Sequence, residues 1–379
     1  MKKTNVIILF RNLNLGGISS LYKSLLLENE KYNNNIEFIL VCFFANKIIL
    51  RELEDLGFKI YILPYRGKLS YFKLGKNLRE IIDNEKIDII HSNTPFDRVF
   101  TILHFPRLPH ITTFHTSTPF EKSNNFLINF VFSFLDKKFI QLARLKIIAV
   151  SNYVKLKLVN EQIRAEDIEV IVSGIPNDIN MSETSADSKI DFRKNGEIPL
   201  LCVGRFHYDK GQYDLIPVFK ELLKLNNKYR LYFLGDGHDS YYKSVQKKII
   251  DYDLSDYVIF LGYKSNVDYF FQKCEALLFP SKNEALGLTL LEGLKNKTLI
   301  FASPIGGILE VIDDRRTGVF IDFNKPKLAA YGIHQILNNI DQMIYIKEEA
   351  GEEFKKSFDI KSSYLKYIST YKKVINKIN

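Results

Sequence analysis

Short apolar runs alternate along the chain with longer stretches in which apolar residues return at helical spacing. In the first half the runs predict strands at Asn5 to Phe10, Glu37 to Phe43, Lys59 to Ile62, Ile87 to His91, His110 to Phe114 and Lys146 to Val150. In the second half they predict strands at Pro199 to Val203, Arg230 to Leu234, Val258 to Phe260, Ala276 to Phe279, Leu299 to Phe301 and Gly318 to Ile321. Strands alternating with helical patterns are the mark of doubly wound α/β domains. Asn177 to Asn195 is polar and acidic with no hydrophobic period, and reads as a linker between two such domains. Two similar domains with a cleft between them are expected. Open parallel sheets bind ligands beyond the carboxyl ends of their strands, so the strand-to-helix loops carry the interest.

Composition narrows the picture. A chain of 379 residues is too long for one ordinary core and suits two domains, and 46% hydrophobic with 26% charged residues indicates a folded protein. The formal charge of +9 admits nucleic acid, an anionic membrane surface or anionic small substrates as partners. The basic residues are dispersed through both halves and no nucleic-acid module is present, so nucleic acid is not expected. The apolar run Val6 to Phe10 is too short for a signal peptide and ends at Arg11, and no stretch reaches the length of a spanning helix. Cys42, Cys202 and Cys274 are widely spaced in apolar runs, which argues for reduced core residues in a cytoplasmic protein with no zinc site.

The segment Leu277 to Leu294 is the most informative in chemistry. Its strand ends at Pro280, a polar turn follows, and an amphipathic helix begins near Gly287. The amides of Leu286, Gly287 and Leu288 then lie at a helix N-terminus, where a phosphate can accept them. Glu284 in the loop and Glu292 in the helix can accept hydrogen bonds from vicinal sugar hydroxyls; a capping acid and a surface acid are the plainer reading. A second loop, Gly204-Arg205 to Lys210-Gly211, puts two cations where they can neutralise a diphosphate and the charge that grows on it as a sugar departs. After the first strand, Gly16-Gly17 opens a helix and lets a backbone approach a ligand closely. There is no G-x-G-x-x-G, so a dinucleotide site has no support. His115 ends a strand, where a lone histidine is more often structural.

Pro280, Ser281, Glu284, Gly287, Leu288, Leu291 and Glu292 together resemble the Glu-x7-Glu signature of retaining glycosyltransferases of the family 4 type, which have the GT-B fold. Ala285 stands where that family commonly has glycine, and Leu286 where it commonly has an aromatic; both keep the loop small and apolar. The Gly-Arg…Lys-Gly loop, the Gly235-Asp236-Gly237 turn, Gly262, Gly306-Gly307 with Glu310, and Thr317-Gly318 are similar to family landmarks. Ser151 and Gly174 fit the pattern too, whereas Ser173-Gly174-Ile175-Pro176-Asn177 permutes the family's Pro-Asn-Gly.

The resemblance implies an acceptor-side domain over 1–178 and a nucleotide-sugar donor domain over 190–358, with a helix at 360–379 returning to the first. It implies a metal-independent enzyme that needs no cofactor and moves a sugar from a UDP- or GDP-sugar to a hydroxyl of a glycan or lipid-linked glycan. Attack comes on the same face, with the leaving phosphate as base. The catalytic set is Glu284, Arg205, Lys210 and His115. Donor binding adds Gly16, Gly17, Leu286, Gly287, Leu288 and Glu292, with Glu292 on the ribose, Glu284 on sugar hydroxyls and His115 at the sugar's far edge. The expected product is a bacterial surface polysaccharide such as O-antigen or capsule. Phe126 to Leu135, flanked by Lys122, Lys137, Lys138, Arg144 and Lys146, reads either as a core helix or as a basic, aromatic face for an anionic membrane. A nucleotide-sugar epimerase or phosphorylase of the same fold and a non-catalytic scaffold subunit are the rival readings.

Overall fold

The computed structural model describes residues 3–14, 16–32, 35–63, 71–116, 134–141, 145–181, 190–237 and 239–376. The chain divides into two compact units, Met1–Gly174 with Ile360–Asn379, and Ile175–Asp359.

The first unit is built on a sheet of seven strands: β1 (Thr4–Leu13), β2 (Ile36–Ala45), β3 (Ile60–Ile62), β4 (Ile89–Ser92), β5 (His110–Phe114), β6 (Lys146–Ala149) and β7 (Ile168–Val170). All its pairings are parallel and its order is β3-β2-β1-β4-β5-β6-β7. Helices α1 (Gly17–Tyr32), α2 (Lys47–Asp55), α3 (Tyr71–Asn84), α4 (Pro95–His104) and α5 (Asn152–Asn160) follow strands, as parallel connections require. Ile7, Leu9, Ile39, Val41, Leu78, Ile90 and Phe100 fill one core, so the near-continuous apolar reading of β1 and β2 comes from burial on both faces. α4 starts at a capping box between Thr94 and Asp97, with Pro95 in its first turn.

A buried ion pair ties α4 to the helical segment 134–141. Arg98 donates from Nε and Nη2 to the two oxygens of Asp136 at 2.7 Å each, and from Nη1 to Thr112 Oγ1 at 2.8 Å. Its guanidinium also lies 4.3 Å from the centre of the Phe114 ring.

The second unit repeats the plan with six strands: β8 (Ile198–Val203), β9 (Tyr229–Leu234), β10 (Val258–Gly262), β11 (Ala276–Phe279), β12 (Leu299–Ala302) and β13 (Val319–Phe320). They pair in parallel in the order β10-β9-β8-β11-β12-β13. Its helices are α6 (Gln212–Leu225), α7 (Ser240–Asp251), α8 (Val267–Lys273), α9 (Leu288–Lys295), α10 (Pro326–Leu337) and α11 (Ile340–Ser357). In each sheet the strand order reverses once, between β1 and β4 and between β8 and β11. Loops leaving those strands at their carboxyl ends diverge to opposite faces, and the crevice between them is where such sheets take ligands.

The last helix, α12 (Ile360–Asn376), belongs to the first unit. Tyr364, Tyr367 and Tyr371 are its buried stripe, and the Tyr364 hydroxyl donates to Asn29 of α1 at 2.9 Å, while Leu365 is exposed. β7 was absent from the sequence expectation, being only three residues with Glu169 at its centre. All three cysteines are buried and unpaired. Of the polar stretch 177–195, residues 182–189 lie outside the described ones, and the rest holds one 3-10 turn, Lys194–Gly196. Most of Phe126 to Leu135, with Lys122 and Arg144, also lies outside them; Phe134 and Leu135 open the segment 134–141 and are exposed. Among the described residues no helix is long and apolar enough to cross a membrane.

Candidate functional site

β8 and β11 are neighbours at the switch point of the second sheet, and their outgoing loops carry the cations and the carboxylate read from the sequence. β8 leaves through Gly204, and its turn packs so closely on the next one that a Cβ at Gly235 would stand 2.1 Å from the Gly204 carbonyl oxygen. From below, the buried amide of Gln212 donates to the carbonyls of Arg205 at 3.0 Å and Gly204 at 3.4 Å. The backbone of Arg205 is thereby fixed while its side chain is exposed and, among the described residues, has no anionic partner.

A 3-10 turn, Tyr208–Lys210, follows and closes at Gly211, whose φ of 68° suits glycine. Gly211 has a second reason to be glycine, since a Cβ there would lie 2.0 Å from the carbonyl oxygen of Pro280. The loop after β11 rests on it. The Lys282 amide donates to the Asp209 carbonyl at 2.7 Å, and Lys210 Nζ reaches Glu284 Oε2 at 2.6 Å. On its other side the same loop rests on Gly307, which donates its amide to the Glu284 carbonyl at 3.0 Å and lies against the Ala285 carbonyl. Ala285 and Leu286 are buried, so the two departures from the family's usual residues serve as packing.

Gly287, at φ 93°, caps α9 without a side-chain hydrogen bond. The backbone amides of Leu286, Gly287 and Leu288 have no backbone acceptor among the described residues. They and the helix dipole form a patch of positive potential one residue beyond the Lys210–Glu284 pair. Glu292 lies one turn into α9. Burial pushes its pKa up to about 7, the charge of Asp268 adding to the shift and Lys295 opposing it. The second unit thus brings Arg205, Lys210, Glu284, Leu286, Gly287 and Leu288 onto two adjacent loops, with Glu292 on the helix they lead into.

Gly16, Gly17 and His115 belong to the first unit. Gly16 has φ 152°, Gly17 is the first residue of α1, and Ser19 Oγ donates to the Asn14 carbonyl at 2.6 Å to tighten the turn. His115 follows β5, and its Nε2 lies 3.0 Å from Asn93 Oδ1 at the end of β4. Asn93 also accepts from the hydroxyl of Tyr22 on α1. Behind Tyr22, His91 has Nε2 at 2.7 Å from Thr113 Oγ1 and Nδ1 at 2.7 Å from the Tyr371 hydroxyl. Burial holds both histidines well below their ordinary pKa, at about 3, with the charge of His115 adding to the shift at His91. Both are neutral.

The sequence reading missed Asn93 and Tyr22. A polar Ser92-Asn93-Thr94 ending an apolar strand at the switch point is the signal that could have found the first; Tyr22 is one of many tyrosines and leaves none. Ser151, read as a family landmark, is the N-cap of α5, its Oγ accepting from the Val154 amide at 3.1 Å, and the Gly174 amide donates to Ser363 of α12 at 3.2 Å.

Comparison with known proteins bears on the fold and the family. The family described as Glycosyl transferases group 1 matches residues 184–353, and that described as Glycosyltransferase Family 4 matches residues 30–178. An uncharacterized glycosyltransferase of Methanocaldococcus jannaschii, MJ1178, is 29% identical over 328 residues, 84% of each chain. The lipopolysaccharide core biosynthesis mannosyltransferase LpcC of Rhizobium leguminosarum is 28% identical over 120 residues, 31% of this chain and 34% of that protein. Anabaena Alr3699/HepE, solved in complex with UDP-glucose, superposes with a TM-score of 0.82 over 97% of this chain and 99% of that one, at 18% identity. The chain has the GT-B fold and belongs to the family 4 type glycosyltransferases, of the group 1 class.

Proposed function

We propose that the protein is a retaining, metal-independent transferase that moves a hexosyl unit from a UDP- or GDP-sugar to a hydroxyl of a glycan or lipid-linked glycan in the synthesis of a bacterial surface polysaccharide. The observation that carries the reading is the pairing of Lys210 with Glu284 across the β8 and β11 loops, beside an α9 N-terminus without a side-chain cap. A diphosphate placed on those amides meets Arg205 and Lys210, which take up the charge that accumulates as the sugar's C1–O bond breaks. Glu284, released from Lys210 by the incoming anion, accepts hydroxyls of the sugar. Glu292, once ionised, accepts those of the ribose. The acceptor hydroxyl attacks C1 from the face the diphosphate leaves, and its proton passes to the departing phosphate oxygen. Two side-chain cations do the work of a divalent ion in this scheme.

A UDP-sugar donor is supported by Alr3699/HepE, solved in complex with UDP-glucose, and the polysaccharide setting by LpcC, a lipopolysaccharide core biosynthesis mannosyltransferase. The unit Met1–Gly174 with Ile360–Asn379 is the acceptor side and Ile175–Asp359 the donor side in this reading. The basic, aromatic segment around 122–146 is assigned to peripheral contact with an anionic membrane at its cytoplasmic face. The anomeric configuration of the product, read by NMR after transfer in the presence of EDTA, tests the mechanism. Retention with undiminished rate is expected. Inversion, or loss of turnover restored by a divalent cation, would refute it.

A further inference from the structure

The hydrogen bonds around His115 have only one consistent direction. Asn93 Nδ2 donates to the carbonyl of Leu9 at 3.2 Å, which fixes the amide and turns Oδ1 toward Tyr22 and His115. An amide oxygen only accepts. Nε2 of His115, 3.0 Å away, must therefore carry the proton, and a neutral ring protonated there has Nδ1 as a bare acceptor. No partner for Nδ1 exists among the described residues. The same logic runs inward. Tyr22 spends its proton on Asn93, so its oxygen faces inward as an acceptor, toward His91, whose Nε2 lies 3.3 Å from it and 2.7 Å from Thr113 Oγ1 and whose Nδ1 lies 2.7 Å from the buried Tyr371 hydroxyl of α12. Asn93, Tyr22 and His91 are all buried.

We propose that Asn93 and Tyr22, backed by His91 and Tyr371, are positioning residues that hold His115 as the Nε2–H tautomer and so make its Nδ1 select a sugar hydroxyl, which can donate, over a carboxylate or carbonyl, which cannot. The selection rests on the proposed transfer and on the placement of His115 at the sugar's far edge that the family resemblance implies; the tautomer does not. A group that only accepts would set lone pair against lone pair, the arrangement that polar recognition rejects most strongly.

Long-range 1H–15N correlation spectra of the uniformly labelled wild type, with His115 assigned by its loss in His115→Ala, test the tautomer directly. A protonated Nε2 and an unprotonated Nδ1 are expected; a protonated Nδ1 overturns the proposal without any variant. Asn93→Ala is expected to mix the two tautomers and to lower kcat/KM for the donor by about tenfold or more, the loss of one hydrogen bond in the transition state. Affinity for the free nucleotide, which lacks the transferred sugar, is expected to stay unchanged. A single unchanged tautomer in that variant overturns the proposal.

Asn93→Asp is the second variant. Its carboxylate lies beside the His115 proton, with His91 on β4 and Tyr22 on α1 as the other titratable neighbours, and raises the ring's pKa. A doubly protonated ring has no acceptor, so kcat/KM of Asn93→Asp falls further at low pH than that of the wild type. Expected tautomers together with transfer rates unmoved in all three variants would instead remove His115 from the sugar site and overturn the selection.

Discussion

Gly307→Ala isolates how closely the donor loop must be seated. Gly307 lies in the 3-10 turn Gly306–Glu310 after β12, and its φ is not positive, so alanine meets no backbone strain there. The substitution also keeps the backbone amide. What changes is one methyl, which would lie 1.9 Å from the Ala285 carbonyl oxygen, 2.4 Å from that carbon and 2.8 Å from the Leu286 nitrogen. Ordinary contact begins at 3.4 Å, so 1.5 Å (3.4 less 1.9) must open between the turn and the loop. The atoms pushed are backbone, with no rotamer to absorb the shift. They carry Glu284 away from Lys210 and tilt the amides at the start of α9.

A displacement of about 1 Å in a reacting constellation costs roughly 100-fold in rate, and overpacking costs about 1–3 kcal/mol of stability. For a unit of this size, 2 kcal/mol corresponds to a fall in Tm of roughly 4–8 °C. Nucleotide release from the donor and a thermal melt measure both. Gly332→Ala in α10, where the new methyl would meet Ile321 at an ordinary 3.5 Å, is the control and should be as active and slightly more stable. Full activity and an unchanged melt in Gly307→Ala would refute the argument that the turn seats the loop.

Lys210→Met is expected to lower turnover by about 100- to 1,000-fold, since it removes a cation aimed at developing charge, and a steady-state assay at saturating donor reads the loss in kcat. Glu292 gives a pH signature: its pKa is raised to about 7 by burial, and ribose hydroxyls need its charged form, so nucleotide affinity rises with pH up to about 7 and levels off above it. Calorimetric titration of wild type and Glu292→Gln across that range should show the slope in the first and none in the second. The same shift makes the folded protein hold a proton the unfolded chain has released, so this residue's contribution to stability is full below its unfolded value of 4.5 and is lost as pH rises to about 7. Chemical denaturation at the two ends of that window, compared with Glu292→Gln, reads its sign. Asp136→Asn leaves the buried guanidinium of Arg98 without its charge partner and should cost about 3–5 kcal/mol, whereas Arg98→Met with Asp136→Leu should cost less. Urea melts followed by circular dichroism separate the two cases.

Much of this architecture was legible in the chain. Strands buried on both faces read as apolar runs, and twelve of them were placed on such runs; β7, three residues with Glu169 at its centre, offers none. The donor loop was legible because a strand end, a proline, two carboxylates and a glycine fall within one short segment. The pairing of Lys210 with Glu284 was not, since seventy-four residues separate them and only the adjacency of β8 and β11 joins them. Gly211 and Gly307 read only as family landmarks, and their task of admitting the backbone of another loop depends on a neighbour that sequence distance hides. Asn93 and Tyr22 stayed hidden for the same reason: their meaning lies in the direction of a hydrogen bond between β4, α1 and the end of β5.

Nucleotide release from a panel of UDP- and GDP-sugars, by wild type and Glu284→Ala, with and without a lipid-linked acceptor extract, tests the central claim most directly. The account predicts release from one donor that the extract raises and the variant loses. Nucleotide that binds but is never released from any donor, or a new nucleotide sugar formed without acceptor, would contradict it.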